Sequence, residues 1–355
     1  MCSLGALTYY HDYLHLDELL ATQEPLTEAH DELLFIVVHQ AYELWFRQVI
    51  HELEAVHGIL SGDVVPESAM LRLVGHLERV ISIQRIMAAQ LETLETMTPL
   101  DFMDFRDRLV PASGFQSVQW RLIENLLGIP VEVRLPIDGK AYTSRLSADH
   151  ADTVEASEDR PSIFDLVEAW LERTPFLETP DFAFWDAYRA AVDDLAAREV
   201  HLIEDNPNLT ADARAAQLAR ADGNRARFAA LFDDDLYAAE QAAGTMRMSR
   251  RAFLAAVMIN LYRDEPIVQV PFQMLTALVD LDEGFTTWRY GHALMARRMI
   301  GGRIGTGGTS GAEYLTEAAR RYRVWGDLLD MATYLVPRHA IPPLPDDLRD
   351  AMGFG

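Results

Sequence analysis

The sequence predicts an all-α protein, and three observations carry that prediction. Apolar residues recur at helical spacing in one long segment after another. A single stretch, VEVRLPID from Val131, alternates like a strand, weakly enough to leave room for no more than one short hairpin. Prolines and glycines fall between the periodic segments as helix punctuation.

In chain order, an aromatic N-terminal arm (about residues 1–20) carries Tyr9, Tyr10, Tyr13, Leu14, Leu16, Leu19 and Leu20 with few polar partners. It either docks on a neighbouring subunit or packs on its own core, since a chain end is otherwise poorly tied down. Asp31 to Leu60 is apolar on most of a helix's circumference and so is a buried helix, with Asp31 and Glu32 where the helix dipole favours acids. Glu67 to Leu94 is a second long helix that packs on it. Thr98-Pro99-Leu100-Asp101 reads as a helix start, and Pro111 with Gly114 breaks that helix before another from about Gln116. The polar, acidic stretch near 137–162 lacks a period and is read as a long surface loop or mobile segment, without a domain boundary. Helices are expected over Ile163 to Phe176, Asp181 to Ile203, Ala211 to Gln241 (interrupted near Asp233 to Asp235) and Arg251 to Arg263. A turn punctuated by Pro266 and Pro271 precedes helices at Phe272 to Leu281 and Phe285 to Ile300. A glycine-rich run, Gly301 to Gly311, and a closing helical stretch from Leu315 complete a single domain, residues 1–355.

Bulk properties exclude several classes. The 355 residues are 49% hydrophobic and 24% charged, the balance of a folded soluble chain. A net charge of −24 with no basic stripe argues against nucleic acid and against an anionic membrane surface. Cys2 is the one cysteine, which removes an internal disulfide, a cysteine zinc site and covalent haem attachment. The N-terminus lacks a basic start followed by an apolar core, and no apolar run is long enough for a membrane span, so the cytoplasm is the expected compartment.

Few polar residues sit on the apolar helices. His39 lies about two turns inside its helix, and His292 follows Trp288 by one turn. Each alone is more often a core histidine satisfied by a hydrogen bond than a ligand. Arg106, on a helix rich in Phe102, Met103, Phe105 and Leu109, is either paired with Asp101 or Asp104 or available to a substrate carboxylate. The glycine run carries Thr306, Thr309 and Ser310 and suits close approach to a flat or anionic ligand, although its spacing is that of neither a P-loop nor a dinucleotide fold. A di-iron bundle needs two Glu-x-x-His pairs, and Glu54–His57 supplies one. No G-x-S-x-G is present. Two remote histidines in aromatic, apolar surroundings suit a planar macrocycle such as haem better than a bare metal.

Several long motifs extend that reading. Leu7 to Leu14, His30 to Leu53, FRDRLVPASGFQSVQWR from Phe105, LYRDEP from Leu261, PFQMLT from Pro271, WRYGHALMARRMIG from Trp288, GTGGTSG from Gly305 and TYLVPR from Thr333 stand in one order along nearly the whole chain. Together they resemble the tryptophan 2,3-dioxygenase family. The resemblance implies an all-helical homotetramer enclosing haem b, with His292 as axial iron ligand and His39 on the distal side, accepting a hydrogen bond from the indole N–H. It implies that Phe35 packs on the indole, that Phe102 and Leu109 line the pocket, and that Arg106 binds the carboxylate. Thr306 would meet the ammonium and carboxylate end and Ser113 the distal face of the haem, while Tyr10, Tyr13 and Leu14 would come from a neighbouring subunit. The implied reaction adds both atoms of O2 to L-tryptophan, giving N-formylkynurenine. The arm departs from the family pattern: it reads YYHDYL where TYGxYL is usual, placing Tyr9 for threonine and His11 for glycine, and Thr309 stands where serine is common. Alternative readings are a relative that oxygenates a modified tryptophan or other indole, including one that inserts a single oxygen atom, and a haem sensor or carrier.

Overall fold

The computed structural model describes residues 8–174, 184–303, 305 and 311–346. In chain order its helices are α1 (Tyr10–Tyr13), α2 (Leu16–Leu20), α3 (His30–Leu60), α4 (Glu67–Leu94), α5 (Pro99–Leu109), α6 (Val118–Leu127), α7 (Ala148–Ala156) and α8 (Ile163–Glu172). They continue as α9 (Phe184–Glu204), α10 (Ala211–Leu231), α11 (Asp234–Ala242), α12 (Arg250–Leu261), α13 (Pro266–Ile300), α14 (Gly311–Arg321) and α15 (Gly326–Leu329). Among the described residues, strand-like pairing is confined to one isolated bridge between Ile137 and Lys140, so the fold is all-α. No described helix is long and apolar enough to cross a membrane.

The three longest helices form the centre because each carries an apolar stripe over its whole length. α4 packs between α3 and α13, burying Val49, Leu53 and Val56 of α3, Leu73, Leu77, Val80 and Met87 of α4, and Met274, Leu278, Leu281 and Phe285 of α13. Each such side chain contributes about 1.5–3 kcal/mol by leaving water. Gln84 donates from α4 to the Leu281 carbonyl at 2.8 Å, and any side chain at the facing Gly284 would strike Gln84. Glycine there is what allows the two helices to approach so closely.

Local signals set the helix ends as read from the sequence. Thr98 and Asp101 form a reciprocal cap on α5, with the Asp101 N–H donating to Thr98 Oγ1 and the Thr98 N–H donating to Asp101 Oδ2. Asp233 opens α11 by accepting from the Asp235 and Leu236 amides, both at 3.0 Å. Asp31 and Glu32 both lie in the first turn of α3, as the helix dipole favours, and Glu32 also fastens the preceding connector. It is buried, and it turns back to accept from the Leu26 and Thr27 amides at 2.8 Å.

Three expectations are corrected. The stretch near 137–162 is no featureless loop. Ile137 and Tyr142 are buried, α7 runs through it against α6, and Asn125 of α6 donates to the Val154 carbonyl at 3.0 Å and to Ser157 Oγ at 2.7 Å. Polar contacts order this segment, and Val154 alone buries a large apolar side chain within α7, so the hydrophobic period was silent. VEVRLPID forms a single 3-10 turn, Val131–Val133, in place of a hairpin strand. Pro271 does not end a turn, because α13 runs unbroken from Pro266 to Ile300. Pro266 occupies the first helical position, where its missing N–H costs nothing. Pro271 disturbs only the first turns, at about 3 kcal/mol, which burial of Val268, Met274, Leu275 and Leu278 offsets.

The described residues of the N-terminal arm bury nothing in the chain's own core. Neither α1 nor α2 has a buried residue, and Tyr10 and Tyr13 are 70% and 71% exposed. Glu54 and His57, the lone Glu-x-x-His pair, are used structurally: Glu54 pairs with Arg160, and His57 Nε2 donates to the Pro161 carbonyl at 2.9 Å.

Candidate active site

Helical spacing puts Phe35, His39 and Glu43 on one face of α3. His39 Nδ1 lies 2.7 Å from the Phe35 carbonyl oxygen. A carbonyl can only accept, so Nδ1 carries the proton and Nε2 is left with a free lone pair. The His39 side chain is exposed, yet protein atoms surround it closely enough for desolvation to lower its pKa, with the Phe35 carbonyl and Glu43 pulling the other way.

α5 supplies the aromatic wall. The Phe35 ring sits 4.0 Å from His39, 5.8 Å from Phe102 and 5.6 Å from Phe105, centroid to centroid. Arg106 and Leu109, both half-buried, continue along the Phe102 face. Beyond α5, Ser113 begins a 3-10 turn, its backbone N–H donating to Gln116 Oε1 at 3.1 Å and its hydroxyl accepting from the Phe115 amide at 3.4 Å.

α13 packs against α5 and carries the second histidine. Burial, with a further contribution from His39, pushes the His292 imidazole down to about 4, so it is neutral at physiological pH. That electrostatic coupling joins two histidines separated by most of the chain. Among the described residues nothing hydrogen-bonds the His292 ring. Instead Trp288 lies one turn back, its ring 5.4 Å away and tilted by 34°. Trp288 is packed by Tyr42 (5.8 Å) and Trp120 (4.7 Å). Tyr42 donates to the Met87 carbonyl at 2.8 Å, and burial raises its phenol to about 12 against the opposing Trp288 N–H, so it stays a donor.

α6 and α13 share a buried ion cluster that inspection of the sequence missed. Glu124 accepts from Arg121 at 2.8 Å and from Arg289 at 3.4 Å, and Arg289 also donates to the Tyr322 carbonyl at 2.9 Å. Burial raises the Glu124 pKa, but the neighbouring Arg121, Arg289 and Arg134 outweigh it and hold the carboxylate below its usual range. A hint was available in the three-residue spacing of Arg121 and Glu124 on an otherwise apolar helix.

The fold thus gathers Phe35, His39, Phe102 and Phe105, brings His292 within electrostatic reach of His39, and carries Arg106 and Leu109 on α5 with Ser113 just beyond its end. Tyr10, Tyr13 and Leu14 lie outward on the arm, and Thr306 falls outside the described residues. A groove of about 810 Å³, lined by Leu44, Arg47, His51 and Leu122 among others, shares no residue with this site.

The donor set fits haem. Both imidazoles are kept neutral, the lining is aromatic and aliphatic, and among the described residues no three His, Cys, Asp or Glu side chains come together to hold a bare ion. A metal at such a site must bring its own equatorial ligands, as a porphyrin does. An all-helical fold with two neutral imidazoles within electrostatic reach of each other in apolar surroundings suits one class, the helical haem proteins.

Comparison with known proteins narrows the class. The family model for tryptophan 2,3-dioxygenase matches residues 2–335. Proteins named tryptophan 2,3-dioxygenase are similar over almost the whole chain: one from Bdellovibrio bacteriovorus is 45% identical over 351 residues, 98% of each chain. One from Alteromonas mediterranea is 41% identical over 98% of this chain and 97% of its own, and one from Dictyostelium discoideum 41% over 98% and 88%. The chain belongs to the tryptophan 2,3-dioxygenase family and is a haem-dependent oxidoreductase, which places it among enzymes and not haem sensors or carriers.

Proposed function

We propose that this protein adds both atoms of O2 across the indole pyrrole double bond of L-tryptophan to give N-formylkynurenine, the first step of tryptophan degradation. The observation that supports this reading is the fixed tautomer of His39, which leaves Nε2 unprotonated beside an aromatic wall and within electrostatic reach of His292.

The cofactor is haem b, ferrous in the active state, and the oxygen chemistry belongs to it. His292, neutral across the physiological range, would hold the haem iron through its lone pair. On the other side, His39 Nε2 accepts the indole N–H and so orients the ring, while Phe35, Phe102 and Leu109 clamp the indole and exclude water. At the polar end, Arg106 takes the substrate carboxylate through two parallel hydrogen bonds. Thr306 is assigned to the ammonium and carboxylate end and Ser113 to the distal face of the haem on resemblance to the family. The exposed Tyr10, Tyr13 and Leu14 support a homotetramer in which the arm covers a neighbour's site. The compartment is the cytoplasm.

Mass spectrometry of the product from reduced, haem-loaded protein supplied with L-tryptophan and O2 tests the reading. Two added oxygen atoms are expected. One added atom would make the enzyme a monooxygenase, and an unmodified substrate would overturn the assignment.

A further inference from the structure

We propose that Glu43 and Gln119 are positioning residues for His39, together making its Nε2 a stronger acceptor for the indole N–H, a role that rests on the function proposed above. Glu43 lies one helical turn after His39 on α3, a spacing that puts the two Cβ atoms roughly 5–6 Å apart. Helical side chains lean toward the N-terminus, so each of these residues covers the turn before its own. His39 follows that rule by bonding back to the Phe35 carbonyl. Glu43 reaches back in turn, and while desolvation lowers the His39 pKa, the Glu43 charge opposes it.

What holds Glu43 is neutral. The amide group of Gln119, on α6, donates both to the Glu43 carbonyl and to its Oε2, each at 2.8 Å. Among the described residues no cation lies within ion-pair distance of Glu43, although Arg47 follows one turn later on the same helix. Other acids of α3 differ: Glu52 accepts from Arg79 at 3.0 Å, and Glu54 pairs with Arg160. A carboxylate gripped by an amide keeps its full charge, whereas one gripped by a guanidinium has most of it cancelled. Gln119 therefore fixes where the charge sits without neutralising it. α6 is itself firmly seated, because Trp120 beside Gln119 packs on Phe46 and Trp288 at 5.1 and 4.7 Å.

The sign of the effect follows. Accepting a hydrogen bond leaves partial positive charge on the imidazole, and a negative charge one turn away stabilises it. The Phe35 carbonyl at Nδ1 acts in the same direction, so Nε2 is the electron-rich end of the ring.

The test compares Glu43→Gln, which keeps shape and removes the charge, with Gln119→Met, which keeps length and removes both donors. Each full-length, haem-loaded variant is titrated by its Soret shift with L-tryptophan and with the benzothiophene analogue, which has sulfur in place of the indole N–H. Glu43→Gln should weaken tryptophan binding roughly fivefold, raise KM by a similar factor with kcat nearly unchanged, and leave binding of the benzothiophene analogue as it was. Gln119→Met should show a smaller loss of the same kind, because the carboxylate is then free to turn away. The proposal is overturned if Glu43→Gln binds tryptophan within about twofold of the parent, or if both ligands weaken alike, which is what a merely structural role would produce. A Gln119→Met variant that binds tryptophan as the parent does would remove Gln119 from the pair. Product analysis on the parent is run first. If the parent does not oxygenate tryptophan, the functional reading fails by itself, and the comparison of the two ligands alone decides the role of Glu43.

Discussion

Glu124→Gln is the sharpest perturbation of the scaffold. The carboxylate is buried, accepts from Arg121 and Arg289, and lies close enough to Arg134 for that cation to lower its pKa. Glutamine has nearly the same shape, so little packing is lost and the effect isolates charge. Two guanidinium groups, both nearly inaccessible, then lose the carboxylate they donate to, although Arg289 retains the Tyr322 carbonyl and the more distant charge of Asp282. Breaking a buried pair by removing one partner costs about 3–5 kcal/mol, more than a hundredfold in the folded-to-unfolded ratio. Urea denaturation followed by circular dichroism measures this directly. The doubly changed Glu124→Gln/Arg121→Met should recover part of the loss, because it removes one of the stranded cations. pH gives an independent check. Glu124 has a folded-state pKa below its ordinary value of 4.5, so its contribution is present above that pH and is lost as pH falls through the folded value. The variant should lack that share of the acid-side slope. A loss of less than about 1 kcal/mol at neutral pH would refute the view that the cluster depends on the Glu124 carboxylate.

The remaining predictions concern the site. Arg106→Leu should raise KM for L-tryptophan at least tenfold and leave haem content intact; an unchanged KM removes the carboxylate role. His292→Ala should abolish or greatly weaken haem retention, and a normal Soret band with unaltered ligation would refute the axial assignment. For His39, whose pKa is held below 6.5 chiefly by desolvation, kcat/KM should stay level as pH falls to that value and decline only at lower pH, because the neutral ring is the form with a free lone pair. A profile that breaks above pH 6.5 would show that a different group accepts the indole proton donor. Replacing Tyr10 and Tyr13 together with serine should weaken self-association, read by sedimentation, and raise KM without lowering haem affinity per chain. An unchanged assembly and KM would leave the arm with no partner.

Interactions local in sequence were legible from the residues alone. The apolar period found α3, α4 and α12, the Thr98-Pro99-x-Asp101 pattern found the start of α5, and the order of the long motifs pointed to the family. α7 was missed because its order comes from Asn125, Thr143 and Glu155, polar residues whose partners lie elsewhere in the chain. Pro271 misled because a proline's cost depends on how near the helix start it falls and on what the rest of the helix buries.

The sequence by itself determined an all-helical chain, its two candidate imidazoles and its family, since each follows from residue type and spacing along the polymer. Packing of distant segments brought His39 and His292 within each other's electrostatic reach, placed the His39 proton on Nδ1, and seated the Glu124 carboxylate between Arg121 and Arg289. Those properties depend on distances between residues far apart in the chain, which are set when α3, α4 and α13 pack and water is excluded between them.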